Sequence, residues 1–359
     1  MQLPTLYKVT KTGAIQTHSI TITDNTYTVT QGQLDGKTQS YLTTCSPKNI
    51  GKANETSGAE QAIKEAQAVW ESKLKKGYTQ TCGTPTTSQL PMKVKCYQDQ
   101  IKNVVFPCYS TPKLNGVNAT FTLTDNTLIL TSRGGELYPF LPHLESDIRH
   151  ILTVLKTDRI AGELYIHGAH LQDITSYVKS QKPESSLLEF HIFDLPNVPG
   201  TYEQRLKVLQ TIKPTSFVKL IPPTLCHSHS DIDNHFTLCT SCGFEGTVIY
   251  NASALYEYNI RSSNIFKYKQ AQSAEYKVIA YTTDKSGFPL LICKVTDDLL
   301  FTVKPSGTAE QRIQLLNLLP TKLGEYYTVE YETFSKNGTP LKPVGIAFRK
   351  CTPSGTPLE

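Results

Sequence analysis

The spacing of the apolar residues changes along this chain, and that change constrains its fold more than anything in its composition. Residues 1 to about 50 alternate in the strand manner. Thr17-His18-Ser19-Ile20-Thr21-Ile22-Thr23 and Thr26-Tyr27-Thr28-Val29-Thr30 carry β-branched residues at period two, separated by the turn-formers Asp24-Asn25. From Ala59 to Lys73 the period becomes helical: Ala62, Ala66, Val69 and Trp70 fall at i, i+4, i+7 and i+8, one face of a helix. Thr56 or Ser57 is placed to cap its start and Gly77 to stop it. Residues 1–82 therefore read as a small β-plus-helix module. A Thr/Pro/Ser/Gly-rich stretch, 82–91, reads as a linker or long loop.

Beyond it, residues 92–270 mix the two periods. Strand-like runs at 119–124, 128–131, 187–193 and 246–250 alternate with helical ones at 144–155 and 202–210. Residues 275–351 return to strands (276–282, 290–295, 300–303, 326–334, 344–348) with one helix, 309–318, between them. Five strands with an inserted helix suit a small barrel of the OB type. The fold class is α+β, in three units: 1–82, 83–272 and 273–359. A length of 359 residues accommodates two or three domains. No apolar run approaches the ~20 residues that span a bilayer. Met1-Gln2-Leu3-Pro4 lacks the basic start of a secretory signal, so an intracellular, soluble protein is expected. Nine Cys at irregular spacing fit reduced thiols. The net charge of +5 is compatible with a phosphate-rich partner without identifying one.

The chemistry is carried by short motifs. Pro112-Lys113-Leu114-Asn115-Gly116-Val117-Asn118 places a lysine after a possible strand and a glycine three residues later. Alone it is unspecific, and a surface-turn lysine is the plain alternative. Downstream follow Ser132-Arg133-Gly134-Gly135, Gly162-Glu163-Leu164-Tyr165, Phe190-His191-Ile192-Phe193-Asp194, Phe244-Glu245-Gly246-Thr247-Val248-Ile249 and Phe266-Lys267-Tyr268-Lys269. Their order and spacing, from residue 93 to 269, resemble the nucleotidyltransferase motifs of ATP-dependent DNA ligases, RNA ligases and mRNA capping enzymes. The resemblance implies an ATP-grasp-like nucleotidyltransferase domain that uses ATP and Mg2+ (or Mn2+). Lys113 would attack the α-phosphate of ATP and carry AMP as a phosphoramide. The amine must be unprotonated to attack, and a free lysine titrates near ~10.4, so a neighbouring cation and partial burial would favour the reaction. Lys267, Lys269 and Arg133 would stabilise phosphate charge. Glu245 is the first metal candidate, because Mg2+ prefers a carboxylate or two plus substrate phosphates. Glu163 would meet the ribose hydroxyl or the metal, and Phe193 would stack on adenine. The plain alternatives are an exposed strand end for Glu163, core packing for Phe193 and a solvated strand face for Lys267 and Lys269.

The flanking units extend the resemblance. Gly345-Ile346-Ala347-Phe348-Arg349-Lys350 is similar to the last motif of the ligase branch, which implies that Arg349 orients the leaving pyrophosphate. The first 80 residues resemble the N-terminal module of bacteriophage-type DNA ligases and the WGR domains of repair proteins, although the Trp-Gly-Arg triplet is absent. Nucleic-acid gripping by Lys48, Lys52 and the Lys73–Lys76 cluster is implied; a solvated helix end is the alternative.

Several positions depart from the DNA-ligase pattern. Asn115 stands where Asp is usual and Asn118 where Arg is usual. Asn118 is shared with nick-sealing RNA ligases. Tyr250 replaces a frequent Arg, and Thr111 a Gln or Glu that reads adenine. Asn115, Asn118 and Ser132 are candidate contacts to the polynucleotide. The expected function is ATP-dependent sealing of 5′-phosphate/3′-hydroxyl nicks in DNA, with an RNA or mixed DNA/RNA ligase, a capping guanylyltransferase and an inactive binding module as alternatives. The expected partner is nicked duplex DNA or a DNA/RNA hybrid, bound by a monomer, in the cytoplasm or nucleoid of a bacterial host and serving replication or repair. Cys226, His227, His229, His235, Cys239 and Cys242 lie within seventeen residues, but without a second paired-Cys knuckle buried thiols are expected rather than zinc.

Overall fold

Four strands, Gln2–Val9, Ile15–Thr23, Thr26–Gln33 and Thr38–Thr44, pair in sequence order as an antiparallel meander. The molecule, a computed structural model, is described for residues 1–10, 12–83, 89–269 and 272–358. Residues 84–88 of the expected linker, and 270–271 beside the expected start of the barrel, lie outside the described residues. The helix Gly58–Lys75 packs across the meander. Ser57 is its cap: the hydroxyl accepts from the Glu60 amide, and the Glu60 carboxylate accepts from the Ser57 amide. Ala62, Ala66, Val69 and Trp70 meet Leu3, Ile20, Ile22 and Tyr27, the face expected from the spacing. The two fully buried alanines bring the helix close to the sheet, and the Trp70 indole N–H donates to the Pro4 carbonyl at 2.7 Å.

The central domain is built on two five-stranded sheets. The first runs, in spatial order, Val218–Leu220, Glu189–Asp194, Arg159–Tyr165, Val117–Thr124 and Thr127–Ser132. Helices Pro142–Leu155 and Leu171–Ser180 pack against it. Leu144, Ile148, Ile174 and Val178 join Phe121, Ile160, Leu164 and Phe190 in the largest core of the chain. The second runs Thr224–Cys226, Cys108–Lys113, Gly246–Asn251, Arg261–Lys269 and Lys93–Cys96, with helix His229–Ser241 against it. The chain crosses from the second sheet to the first through Leu114-Asn115-Gly116, so the two sheets meet at the lysine motif. The strand expected at 187–193 starts at Glu189, because Pro183–Leu187 closes a 3-10 turn.

The C-terminal unit is the expected barrel. Gln272–Thr283, Pro289–Thr296, Leu299–Pro305, Val344–Arg349 and Tyr326–Tyr331 close on one another, with helix Ala309–Lys322 inserted between the third and fourth strands in the chain. The expected strand 326–334 is broken. Tyr326–Tyr331 belongs to the barrel, whereas Thr333–Phe334 pairs with Pro340–Leu341 as a separate hairpin. Glu332 stands at the break. At the hairpin's tip, Lys336 binds Asp173 of the central domain at 2.5 Å. The N-terminal module meets the central domain through Lys75 and Glu136, 2.7 Å apart, and the barrel through Glu65 and Lys285, 3.3 Å apart. Among the described residues, no helix is long and apolar enough to cross a membrane.

Candidate active site

Strand register assembles the cationic side of the site. In the second sheet Lys113 lies opposite Gly246, Gly246 opposite Lys269, and Val248 opposite Lys267. Opposed residues share a face, and so do residues two apart, so the three lysines project together. Gly246 clears the ground between them. Its φ is +147°, and a Cβ there would lie 2.2 Å from the Tyr268 carbonyl oxygen, so a side chain is excluded both by backbone and by space. Gly116 is held to glycine by approach alone: a Cβ would lie 2.4 Å from the Leu164 carbonyl oxygen and 2.8 Å from Cγ of Glu163. The sharp crossing at Gly116 sets Lys113, on one sheet, facing Glu163 on the other.

Two of the three lysines, Lys113 and Lys269, are already paired with carboxylates. Lys113 Nζ donates to Glu245, whose other oxygen is 3.6 Å from Lys269 Nζ. The Glu245 amide donates to the Lys113 carbonyl at 3.0 Å, fixing this pair locally. Lys269 also binds Glu332 of the barrel, which Lys342 approaches to 2.5 Å. Burial lowers the pKa of Lys267, helped by the charge of Lys269. Burial pushes Glu163 up to about 7; Lys113 and Arg133 pull it down, Glu245 adds to the rise, and a hydrogen bond with Asn118 opposes it. Asn118 lies opposite Glu163 in the first sheet, and its buried Oδ1 has no partner among the described residues. Arg133 is exposed at the cleft rim. The buried Ser132 hydroxyl accepts from the Gly134 and Glu136 amides, 3.2 and 2.9 Å, and so shapes the turn that presents Arg133.

One continuous cleft joins these groups. Its polar lobe is lined by Asn115, Ser132, Arg133, Glu245, Lys267 and Lys269. Its apolar lobe is lined by Phe193 with Met92, Val94, Ile221, Val248 and Ile265. Lys113, Asn118, Arg133 and Glu163 border both. Thr111 lines the apolar lobe and donates to the Val248 carbonyl at 3.3 Å. Behind Phe193, the fully buried Arg205 guanidinium grips Asp194 through two bonds, 2.6 and 3.0 Å, and donates to the Gly200 and Ala254 carbonyls. A buried, bidentate, fully bonded pair of this kind fixes the strand end that carries Phe193. Tyr250 lines the same lobe and stacks on Tyr202 with ring centroids 4.0 Å apart.

The structure thus gathers Lys113, Lys267, Lys269, Arg133, Glu163, Phe193, Glu245, Asn115, Asn118 and Ser132 in one cleft. It does not bring Arg349 there: that side chain is half exposed on the barrel and reaches Glu275 at 3.3 Å. Lys48 is tied to Glu65 at 2.9 Å, and Lys52 is exposed in a turn, both in the N-terminal module. The sequence reading missed Met92, Val94, Glu332 and Lys342. The alternation Lys93-Val94-Lys95-Cys96 signals a short edge strand, but nothing local signals the two barrel residues. Of the Cys/His cluster, Cys226 and Cys239 are buried while Cys242 is exposed. His235 bonds Ser110 at 2.8 Å and lies 3.4 Å from Cys239 Sγ. Among the described residues no three such side chains converge as a metal-binding set.

Two sheets meeting at a lysine, an apolar lobe beside a cationic one and a barrel behind them define a nucleotidyltransferase domain joined to an OB-type domain. A family model described as RNA ligase matches residues 107–269. The DNA ligase of African swine fever virus is 28% identical over 333 residues, 84% of this chain and 78% of the viral one. That of Haemophilus influenzae is 27% identical over 189 residues, 50% of this chain and 68% of the bacterial one. Among solved structures, a Lig E DNA ligase superposes with a TM-score of 0.60 at 21% identity, covering 72% of this chain and 98% of that one. The structure named Pmar-Lig_Pre superposes with a TM-score of 0.65 at 16% identity, covering 82% and 72%. The chain is thus similar in sequence to DNA ligases over most of its length, and it shares the fold of solved DNA ligases.

Proposed function

We propose that this chain seals 5′-phosphate/3′-hydroxyl nicks in duplex DNA through AMP carried on Lys113. In the first step the Lys113 amine attacks the α-phosphorus of ATP. A P–N bond forms, the bond to pyrophosphate breaks, and Glu245, already bonded to the amine, is the acceptor in reach of its proton. In the second, a 5′-phosphate oxygen at the nick attacks the same phosphorus and Lys113 leaves. In the third, the 3′-hydroxyl attacks the 5′-phosphate, a phosphodiester forms and AMP departs. Each step is an in-line displacement whose barrier falls by alignment and by charge opposite the phosphate oxygens. Lys267, Lys269 and Arg133 supply that charge, Phe193 stacks on the base, and Glu163 with Asn118 receives the ribose. Asn115, Asn118 and Ser132 face the polynucleotide, with Lys48 and Lys52 gripping it farther out. The units responsible run 1–82, 83–272 and 273–359, in a single copy.

The carboxylates Glu245 and Glu163 fit a divalent cation shared with substrate phosphates. Both line the polar lobe, and burial raises the Glu163 carboxyl to about 7, a penalty that a bound cation would relieve. Mg2+ (or Mn2+) held there would offset phosphate charge. Arg349 reaches the pyrophosphate only if the barrel turns.

The observation that carries this reading is the convergence of three lysines from one sheet on Glu163 of the other, beside an apolar lobe holding Phe193. The test is transfer of label from [α-32P]ATP to protein. The expected result is a labelled band with the native chain and none with Lys113→Ala; label on another residue, or sealing by the alanine variant, overturns it. Asn118 and the RNA ligase family match favour a second reading, sealing of RNA or mixed ends. Four nicks varying DNA and RNA on each side separate the two, and a strong requirement for an RNA 3′-hydroxyl would replace DNA as the substrate.

A further inference from the structure

Glu332 and Lys342 enter the cleft from the barrel, at the two feet of the hairpin formed by Thr333–Phe334 and Pro340–Leu341. The Glu332 carboxylate lies between Lys269 and Lys342, where it occupies the position of an anionic ligand held by two cations. Lys342 has a second unusual feature. Its φ is +51°, a left-handed conformation disfavoured for a lysine and shared, among the described residues, by eight other non-glycine residues, most of them Asn or Asp, and it immediately precedes Pro343, which disfavours helical backbone further. Strain of this kind persists where surrounding structure enforces it, and it gathers at ligand-binding positions. Here it directs a long cationic side chain into the lobe that holds Arg133, Lys267 and Lys269.

The orientation of the barrel indicates which step this subsite serves. With Lys342 in the cleft, Arg349 is turned away and bonded to Glu275. The residue implied to accompany pyrophosphate is therefore absent from the cleft in the arrangement that brings Lys342 in. This arrangement suits the chemistry that follows pyrophosphate release.

We propose that Lys342 is a phosphate-binding residue of the sealing steps: with Lys269 it forms an anion subsite that Glu332 fills until the 5′-phosphate side of the nick displaces it. The assignment rests on the ligase reading above. It adds a residue of the barrel hairpin to the site and makes Glu332 an internal competitor of the nucleic acid. Nick binding then exchanges one anion for another on the same two lysines, and the barrel stays docked through Lys336 and Asp173.

The test uses the full chain and a nicked duplex whose 5′ end already carries AMP, sealed in single turnover with Mg2+ and no ATP. Labelling of Lys113 from ATP is measured in parallel. A charge-assisted contact to phosphate is worth roughly ten- to hundredfold in rate or affinity. Lys342→Ala is expected to lose sealing by that factor, with a higher half-saturating nick concentration, while the labelled Lys113 adduct still forms. Lys342→Arg restores most of the loss, which a purely structural defect would not allow. Glu332→Gln lowers the half-saturating nick concentration several-fold. Sealing by Lys342→Ala at the native rate overturns the proposal, as does a parallel loss of adduct and sealing in both Lys342 variants. Unchanged nick affinity in Glu332→Gln overturns the role given to Glu332. Failure of the native chain to form any adduct would instead remove the ligase reading beneath it.

Discussion

The two lobes of the cleft are built on opposite principles. The apolar lobe around Phe193 is formed before any ligand arrives: its walls are mostly strand residues of both sheets, and Arg205 with Asp194 braces the strand that carries Phe193. The polar lobe is a set of cations, two of which already hold the chain's own carboxylates, Glu245 on Lys113 and Glu332 on Lys269. A base entering the first lobe displaces water. A phosphate entering the second must displace or outcompete an acid. On the proposed reading, base recognition is a matter of shape, and phosphate recognition is an ion exchange sensitive to salt and charge.

Three measurements can break or sharpen this contrast. The largest effect belongs to the polar lobe. Lys269→Met removes the cation shared by Glu245 and Glu332, and Lys113 labelling should fall roughly 100- to 1000-fold, the cost of losing one preorganised charge opposite a transferring phosphoryl group. A loss confined to KM at constant kcat would show that Lys269 binds ATP without favouring the transition state. A smaller effect is expected in the apolar lobe. Phe193→Ala removes one stacking face worth about 1–3 kcal/mol, so the KM for ATP should rise roughly 5- to 100-fold, with kcat affected less. An equal fall in kcat would mean that the lobe is not rigid and that Phe193 helps to align the phosphate.

The smallest effect is in stability and concerns the border between the lobes. The folded chain holds the Glu163 proton until about pH 7, whereas a free glutamate releases it near 4.5. Folding therefore favours the protonated carboxyl. Stability falls as pH rises between those values and stays lowered above them. Glu163→Gln removes this dependence, so thermal denaturation should show a gain in Tm over the native chain that is larger at pH 8 than at pH 5. A gain of the same size at both pH values would contradict the raised carboxyl.

Periodicity and motif order made much of this molecule legible, and the reasons are local. The helix Gly58–Lys75 could be read because Ala62, Ala66, Val69 and Trp70 face a single sheet, and a one-sided contact leaves a 3.6-residue signature. The cleft residues from Lys113 to Lys269 were readable because each motif lies at a strand end, where order in the chain fixes position in the sheet. Helix His229–Ser241 was expected only as a helix without bounds beside the buried thiols: it buries little besides Ile232, His235 and Cys239, too few for an apolar stripe. Glu332 and Lys342 were missed for a different reason. Thr333 and Phe334 continue the strand propensity of Tyr326–Tyr331, so nothing nearby marks the break. The partner that holds Glu332 there, Lys269, is far off in the chain and on another domain. Arg349 was expected at the site from a resemblance alone, and the structure places it on Glu275 instead; how the barrel is turned is something no local pattern encodes.

The three residues between Lys113 and Val117 have a mechanical consequence. They are a short seam sewing one sheet to the other, with Gly116 pressed against the Leu164 carbonyl so that the stitch has no slack. A wedge driven into the base lobe would pry the sheets apart and pull on this seam directly. If Lys113 is the nucleophile proposed above, a compound that never touches it could thus silence it by tilting the amine off its line of attack, and chemical screens that score only occupancy of the polar lobe would overlook such compounds.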